Sequence, residues 1–228
     1  MQLRLLIGFV SFSWLAGAEQ SVQPASAIVE QYCAATRGQE QVMKAASMDV
    51  EIAASLPQLH KKGKLTALRR VSALGRITYE KLRFEGDGTV KKQIIARYLS
   101  AEAEVQEDPS LSVPVTPENY NFKYKGKTAL EGRETFLFAV SPRHKRRGVF
   151  RGELWIDSAT FLRVQESGYL VKSPSILLKK LAFVRKYRIR NGIAVPEQEQ
   201  NVVDTRLGVG RAELTVDFSN FAMDEALR

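Results

Sequence analysis

The stretch "RGELWIDSATFLRVQESG", Arg151 to Gly168, decides how this chain folds. Ahead of Asp157-Ser158 the residues alternate. Phe150, Gly152, Leu154 and Ile156 are apolar or small and share one strand face, while Arg151, Glu153, Trp155 and Asp157 share the other. A period of two marks a half-buried strand, and Asp-Ser opens a turn, so the stretch reads as a β-hairpin. Its acids, Glu153, Asp157 and Glu166, raise the question of acid–base chemistry. At the rise of a strand, the Cα atoms of Glu153 and Asp157 stand about 13 Å apart. That is wider than the separation of paired glycosidase carboxylates. Both are expected to face solvent beside Trp155, with the apolar face lining a core or cavity. Gly168 is expected at a bulge or kink.

The same alternation recurs on both sides of the hairpin. Met48, Val50, Ile52 and Ala54 share a face opposite Asp49 and Glu51. "KGKLTALRRVS" and "GRITYEKLRFEG" follow as strands joined at Leu74-Gly75, the second with apolar residues on both faces. "YNFKYKG" and "ETFLFAV" precede the hairpin. After it, "SILLKKLAFVRKYRIRNG" turns at Asn191-Gly192, a strong two-residue hairpin signal, into "IAVPEQEQNVVDTRL", and "GRAELTVDFSNF" comes last. Helical spacing appears twice: in "SAIVEQYCAATRG", opened by Ser26 and closed by Gly38, and from about 90 to 105, where Val90, Ile94, Ile95, Tyr98 and Leu99 form one stripe. The three prolines of "EDPSLSVPVTPEN" make that segment a loop. The pattern predicts a mainly β, α+β fold: an antiparallel meander curled around the helices or open on one side.

The N-terminus places the chain outside the cytoplasm. Arg4 precedes an apolar run, Leu5 to Leu15, and Ala16-Gly17-Ala18 fits a cleavage site before Glu19. This reads as a secretory signal peptide, residues 1–18, because the run is short for a membrane span. Without it the balance is 33 Lys and Arg against 25 Asp and Glu, a charge of +8. In that compartment anionic lipid or an acidic protein is the expected partner and nucleic acid is not. Simple solubility explains the charge equally well. Cys33, the single cysteine, reads as a small buried hydrophobe.

Catalytic signatures are missing. The two histidines, His60 and His144, lie on separate basic turns, and no metal-ligand spacing occurs. "GDGTVKK" lacks the further glycine and the Lys-Ser/Thr pair of a phosphate loop, and no Gly-x-Ser-x-Gly elbow exists. The reading is a protein with no cofactor and no catalysis. Two basic clusters stand out: Arg143, Lys145, Arg146 and Arg147 in a turn, and Lys186, Arg188 and Arg190 on one strand face. They read either as a surface for an acidic partner or anionic lipid, or as solvated edges that resist aggregation.

The element order, with the strand pair "GKTALEGRETFLFAVSP" and the hairpin "GELWIDSATFLRVQESG", resembles the LolA/LolB-like periplasmic proteins of outer-membrane lipoprotein sorting. The resemblance covers roughly residues 26–221, taken as one domain. It implies a curved antiparallel half-barrel, not closed, with helices packed in or over its concave face and lipid acyl chains held there. It therefore implies a monomeric periplasmic carrier or chaperone for lipids or lipoproteins. Met48, Val50, Ile52, Phe136, Phe138, Leu154, Ile156 and Phe183 are then the expected acyl-binding surface; the same residues also suit a plain core. The alternative function is an envelope sensor or interaction module that meets a partner protein through the basic clusters.

Overall fold

A computed structural model describes residues 24–172, 178–205 and 210–223 of the chain. The proposed signal peptide and the start of "SPSILLKK" lie outside the described residues. The strands are β1 Ala46–Leu56, β2 Lys61–Val71, β3 Ile77–Gly86, β4 Tyr120–Leu130, β5 Arg133–Pro142, β6 Phe150–Asp157, β7 Arg163–Leu170, β8 Leu178–Arg190, β9 Ile193–Thr205 and β10 Arg211–Met223. All ten join one antiparallel sheet in the order β3-β2-β1-β10-β9-β8-β7-β6-β5-β4. The expected meander is present with one departure. β1 pairs with β10, so β3 and β4 become the two outer edges and the sheet stays open.

The connection from β3 to β4 must therefore travel from one edge to the other, and it carries a helix across the concave face. Asp87 starts it by accepting from the backbone N–H of Thr89 at 2.7 Å, as an N-cap aspartate does. The helix runs as α3 Gly88–Val90, a π-helical turn Lys91–Ile95, and α4 Ala96–Glu107. Ahead of the sheet lie α1, Ala25–Thr36, and a short α2, Gln39–Val42. Helix α1 begins one residue before the expected cap, with Pro24 at the N-cap position and no side-chain cap. Gly38 takes the left-handed conformation, φ 84°, and ends the run as its lack of a Cβ permits.

Alternation in the sequence becomes burial in the sheet. Along β1, residues 46, 48, 50, 52, 54 and 56 are buried. At the β8–β9 turn, Asn191 and Gly192 both have positive φ, 49° and 74°, which is the hairpin geometry this pair favours. The apolar residues form two separate clusters. One gathers Ile28, Val29 and Tyr32 of α1 with Phe136, Phe138, Phe150, Leu154, Ile156 and Phe183. The other gathers Val50, Ile52, Leu65, Leu214 and Val216 with Val90 and Ile95 of the crossing helix.

Two glycines allow the close approach of β6 and β7. Gly152 and Gly168 face each other in register. A Cβ on Gly152 would stand 1.8 Å from the Ser167 carbonyl oxygen, and one on Gly168 would stand 2.3 Å from that of Arg151. The kink expected at Gly168 is thus a paired feature of both strands.

Strands β9 and β10 pair only from Arg211/Asp204 to Asp217/Gln198 and diverge beyond. On the exposed edge of β9 this leaves, Ala194 N–H donates to the Gln39 side-chain oxygen at 3.0 Å, and the Gln39 amide donates to the Gly192 carbonyl at 3.3 Å. Two residues along, Pro196 has no N–H to offer. A glutamine amide and a proline thus blunt an edge that would otherwise template another strand.

Candidate functional site

The concave face is described by rows of residues in register across the sheet. One row crosses all ten strands: Phe84, Leu65, Ile52, Val216, Glu199, Arg185, Glu166, Leu154, Phe138 and Tyr124. Its ends are apolar and its middle is charged. Glu199, Arg185 and Glu166, on the three central strands, separate the two apolar clusters.

This central band is paired internally. Arg163 Nη1 donates to Glu166 Oε1 at 3.2 Å, and the Tyr187 hydroxyl donates to Glu166 Oε2 at 3.2 Å. Arg163 also lies over the Tyr187 ring, 4.5 Å from its centroid. Arg185 lies over the Phe183 ring at the same distance and pairs with Glu199 at 3.5 Å. Asn201 Nδ2 donates to Glu199 Oε1 at 2.9 Å. Burial works against the charge of Arg185, but Glu199 and Tyr187 outweigh it and hold the guanidinium more firmly protonated. Burial raises the Tyr187 phenol well above its usual range. Each covering helix brings a tyrosine toward the band. Burial raises the phenols of both Tyr32 of α1 and Tyr98 of α4, and the charges of Glu166 and Glu199 act on them in the same direction. The sequence reading passed over this band. Its signal was present as Phe183, Arg185 and Tyr187 at spacing two, charges sharing a face with an aromatic core residue.

The eight residues expected to bind acyl chains all lie on the concave side, and all are buried, at 4% exposure or less. They do not form one surface. Phe136, Phe138, Leu154, Ile156 and Phe183 belong to the α1 cluster, and Val50 and Ile52 to the other. Met48 lies under Arg69, whose Nη1 is 4.0 Å from its sulfur.

What covers the second cluster is attached in two ways. Val90 and Ile95, at the start of the helix, are fully buried. Beyond them α4 has no fully buried residue; Tyr98 and Leu99 rest partly buried on the cluster, and its described polar ties reach outward. Arg69 Nη2 donates to Glu102 Oε1 at 2.8 Å, and Tyr79 also pairs with Glu102. Arg147 Nη2 donates to Glu104 Oε1 at 2.8 Å, and the Ile77 N–H donates to Gln106 Oε1 at 2.8 Å. The π-turn, a helix irregularity often placed at functional sites, carries Ile95 of the buried anchor and leads into the tethered arm.

The basic residues occupy opposite ends of the sheet. Arg143 to Arg147 join β5 to β6 at one end, whereas Lys186, Arg188 and Arg190 run toward the other end of β8. Several also have structural partners. Arg143 Nε donates to the Pro117 carbonyl at 2.6 Å, Arg146 to Asn119 at 3.0 Å, and Arg147 to Glu104. Lys186 pairs with Glu131, and Arg188 with Glu197. Lys145 and Arg190 are exposed.

Two expectations need adjusting. Asp157 does not face solvent: at 2% exposure it accepts from Thr160 N–H and Oγ1, both at 2.7 Å, and from Arg133 Nη1 at 3.0 Å. Its position at the strand end folds the side chain into its own turn. Glu166 is likewise buried, on the apolar side of β7. Cys33 is partly buried against the α1 cluster, and burial raises its thiol pKa.

The fold is thus an open, curved antiparallel sheet with helices on its concave face. No family model matches the chain, and no curated protein does. Solved structures that it is similar to include three bacterial proteins. One is a DUF1329 family protein from Desulfovibrio piger, 12% identical, covering 88% of this chain and 95% of that one, TM-score 0.43. Another is a putative outer membrane lipoprotein-sorting protein domain from Vibrio parahaemolyticus, 13% identical, covering 90% and 95%, TM-score 0.44. The third is a LolA superfamily protein from Nitrosomonas europaea, 12% identical, covering 90% and 97%, TM-score 0.37.

Proposed function

We infer that the protein is a non-catalytic carrier in the periplasm that binds the acyl chain of a lipid or lipoprotein beneath its crossing helix. The observation that carries this reading is the mode of attachment of α4: an arm with no fully buried residue, resting on the cluster that holds Val50, Ile52 and Leu65 through partly buried Tyr98 and Leu99 and tied through Glu102, Glu104 and Gln106. Magnitudes favour exchange. Burying about twelve methylenes contributes roughly 10 kcal/mol. The exposed Arg147–Glu104 pair contributes less than about 1 kcal/mol and the more buried Arg69–Glu102 tie about 1.5–3 kcal/mol, so an acyl chain can displace the arm while Val90 and Ile95 keep it anchored. Of the eight apolar residues, Val50 and Ile52 supply the contact surface in this reading, and the central charged band keeps the chain from the five that pack against α1.

The test is equilibrium titration of the purified protein with a fluorescent long-chain fatty acid. Saturable binding is expected, tightest for chains long enough to replace the helix contacts. A linear, unsaturable signal sinks the reading.

A further inference from the structure

The charge of this chain is concentrated in one half of the sheet. Between Tyr120 and Arg190 the sequence has 17 Lys and Arg against 5 Asp and Glu, a net +12 in a chain of net +9. The remaining residues, 17 basic and 20 acidic, sum to −3. This stretch forms β4 to β8, and helix α1 covers only its concave face. The convex face holds Lys123, Arg151 and Lys180, all exposed. Arg151 stands in register beside Tyr169; Tyr169 is 37% exposed and has the Lys180 ammonium 5.1 Å from its ring centroid. Trp155 and its register partner Leu137 lie half-buried on the same face.

We propose that the convex face around Arg151, Tyr169 and Lys180 docks the protein peripherally on an anionic lipid bilayer, independently of any acyl chain held on the concave side. Its charge is complementary to such a surface, and each basic residue near anionic headgroups adds to attraction. Half-exposed Tyr and Trp suit the boundary between headgroups and acyl chains, with an apolar ring and a polar edge. An acidic polypeptide fits less well. Peptides are captured in grooves or along unpaired strand edges, and β6 and β7 are paired on both sides. The larger surface hollow described, about 510 Å³, lies in the other half between Lys62, Glu85 and Glu213.

Flotation of the purified protein with vesicles tests this. Phosphatidylcholine vesicles carrying about 30% phosphatidylglycerol are expected to retain the protein, and pure phosphatidylcholine vesicles are not. Raised salt should release it, because these charges are exposed. The double variant R151E/K180E is expected to lose binding at least tenfold, and Y169A several-fold, with circular dichroism unchanged. The control K62E/K92E makes the same charge change in the other half and should bind as the parent does. Equal retention on both vesicle types overturns the proposal. So does an equal loss in the control, which reports only net charge. Capture by polyglutamate without capture by anionic vesicles also overturns it and assigns the face to an acidic protein.

Discussion

Asp157 closes the β6–β7 turn with a buried carboxylate that accepts from two backbone N–H groups, the Thr160 hydroxyl and Arg133. Burial works to raise its pKa, but the Thr160 and Arg133 hydrogen bonds prevail and hold it below the ordinary aspartate value. A lowered folded pKa contributes stability above the unfolded value and loses it as pH falls through the folded one. D157A is therefore expected to cost about 2 kcal/mol at neutral pH, and the deficit should shrink at an acidic pH low enough to protonate the carboxyl in the folded parent. Urea unfolding at both pH values measures it; a deficit that does not change with pH contradicts the assignment. Gly152 makes a separate prediction at this scale. G152A places a Cβ 1.8 Å from a backbone oxygen on the adjacent strand, which only backbone movement can relieve. More than about 2 kcal/mol should be lost, seen as a clear drop in Tm, whereas an unchanged Tm contradicts the close approach. Period-two reasoning placed Gly152, Leu154 and Ile156 on the buried face, and they are there. It erred at Asp157, since a strand-end residue answers to its turn and not to the pleat.

At the level of elements, the crossing helix is two pieces with different attachments. Its existence was legible from the stripe Val90, Ile94, Ile95, Tyr98 and Leu99. Its division was not, because a π-turn leaves the stripe nearly in place and the tethers of α4 come from β2, β3 and the β5–β6 loop, all distant in sequence. E102A and R69A should each loosen α4 and leave the sheet intact. A double-mutant cycle should give a coupling of about 1–3 kcal/mol. Hydrogen exchange should quicken across Ala96–Glu107 and stay slow in β1 and β10. Equal acceleration in the strands contradicts a detachable arm. The β9 edge carries its own prediction. Q39A removes the acceptor for Ala194 N–H, at about 1 kcal/mol. It also exposes a strand edge beside Arg190, so concentration-dependent association followed by light scattering should increase. Scattering equal to that of the parent contradicts a protective role for Gln39.

For the whole molecule, two apolar clusters on one concave face are divided by a charged middle. The open antiparallel sheet was legible because each strand carries its own alternation and turn. The pairing of β1 with β10 was not, since nothing local in either strand specifies a partner more than 150 residues away. The eight residues expected to bind acyl chains all lie buried on the concave side. That Glu199, Arg185 and Glu166 divide them was not legible, because in the sequence alone a buried charge at period two looks the same as a solvent-facing one. The central claim is that an acyl chain lies beneath the crossing helix. Hydrogen-exchange mass spectrometry with and without a saturating long-chain lysophospholipid tests it most directly. The account predicts faster exchange in Ala96–Glu107, slower exchange in β1 and β2, and no change in Gly88–Ile95. The same protection in all three segments with and without the lipid would contradict it.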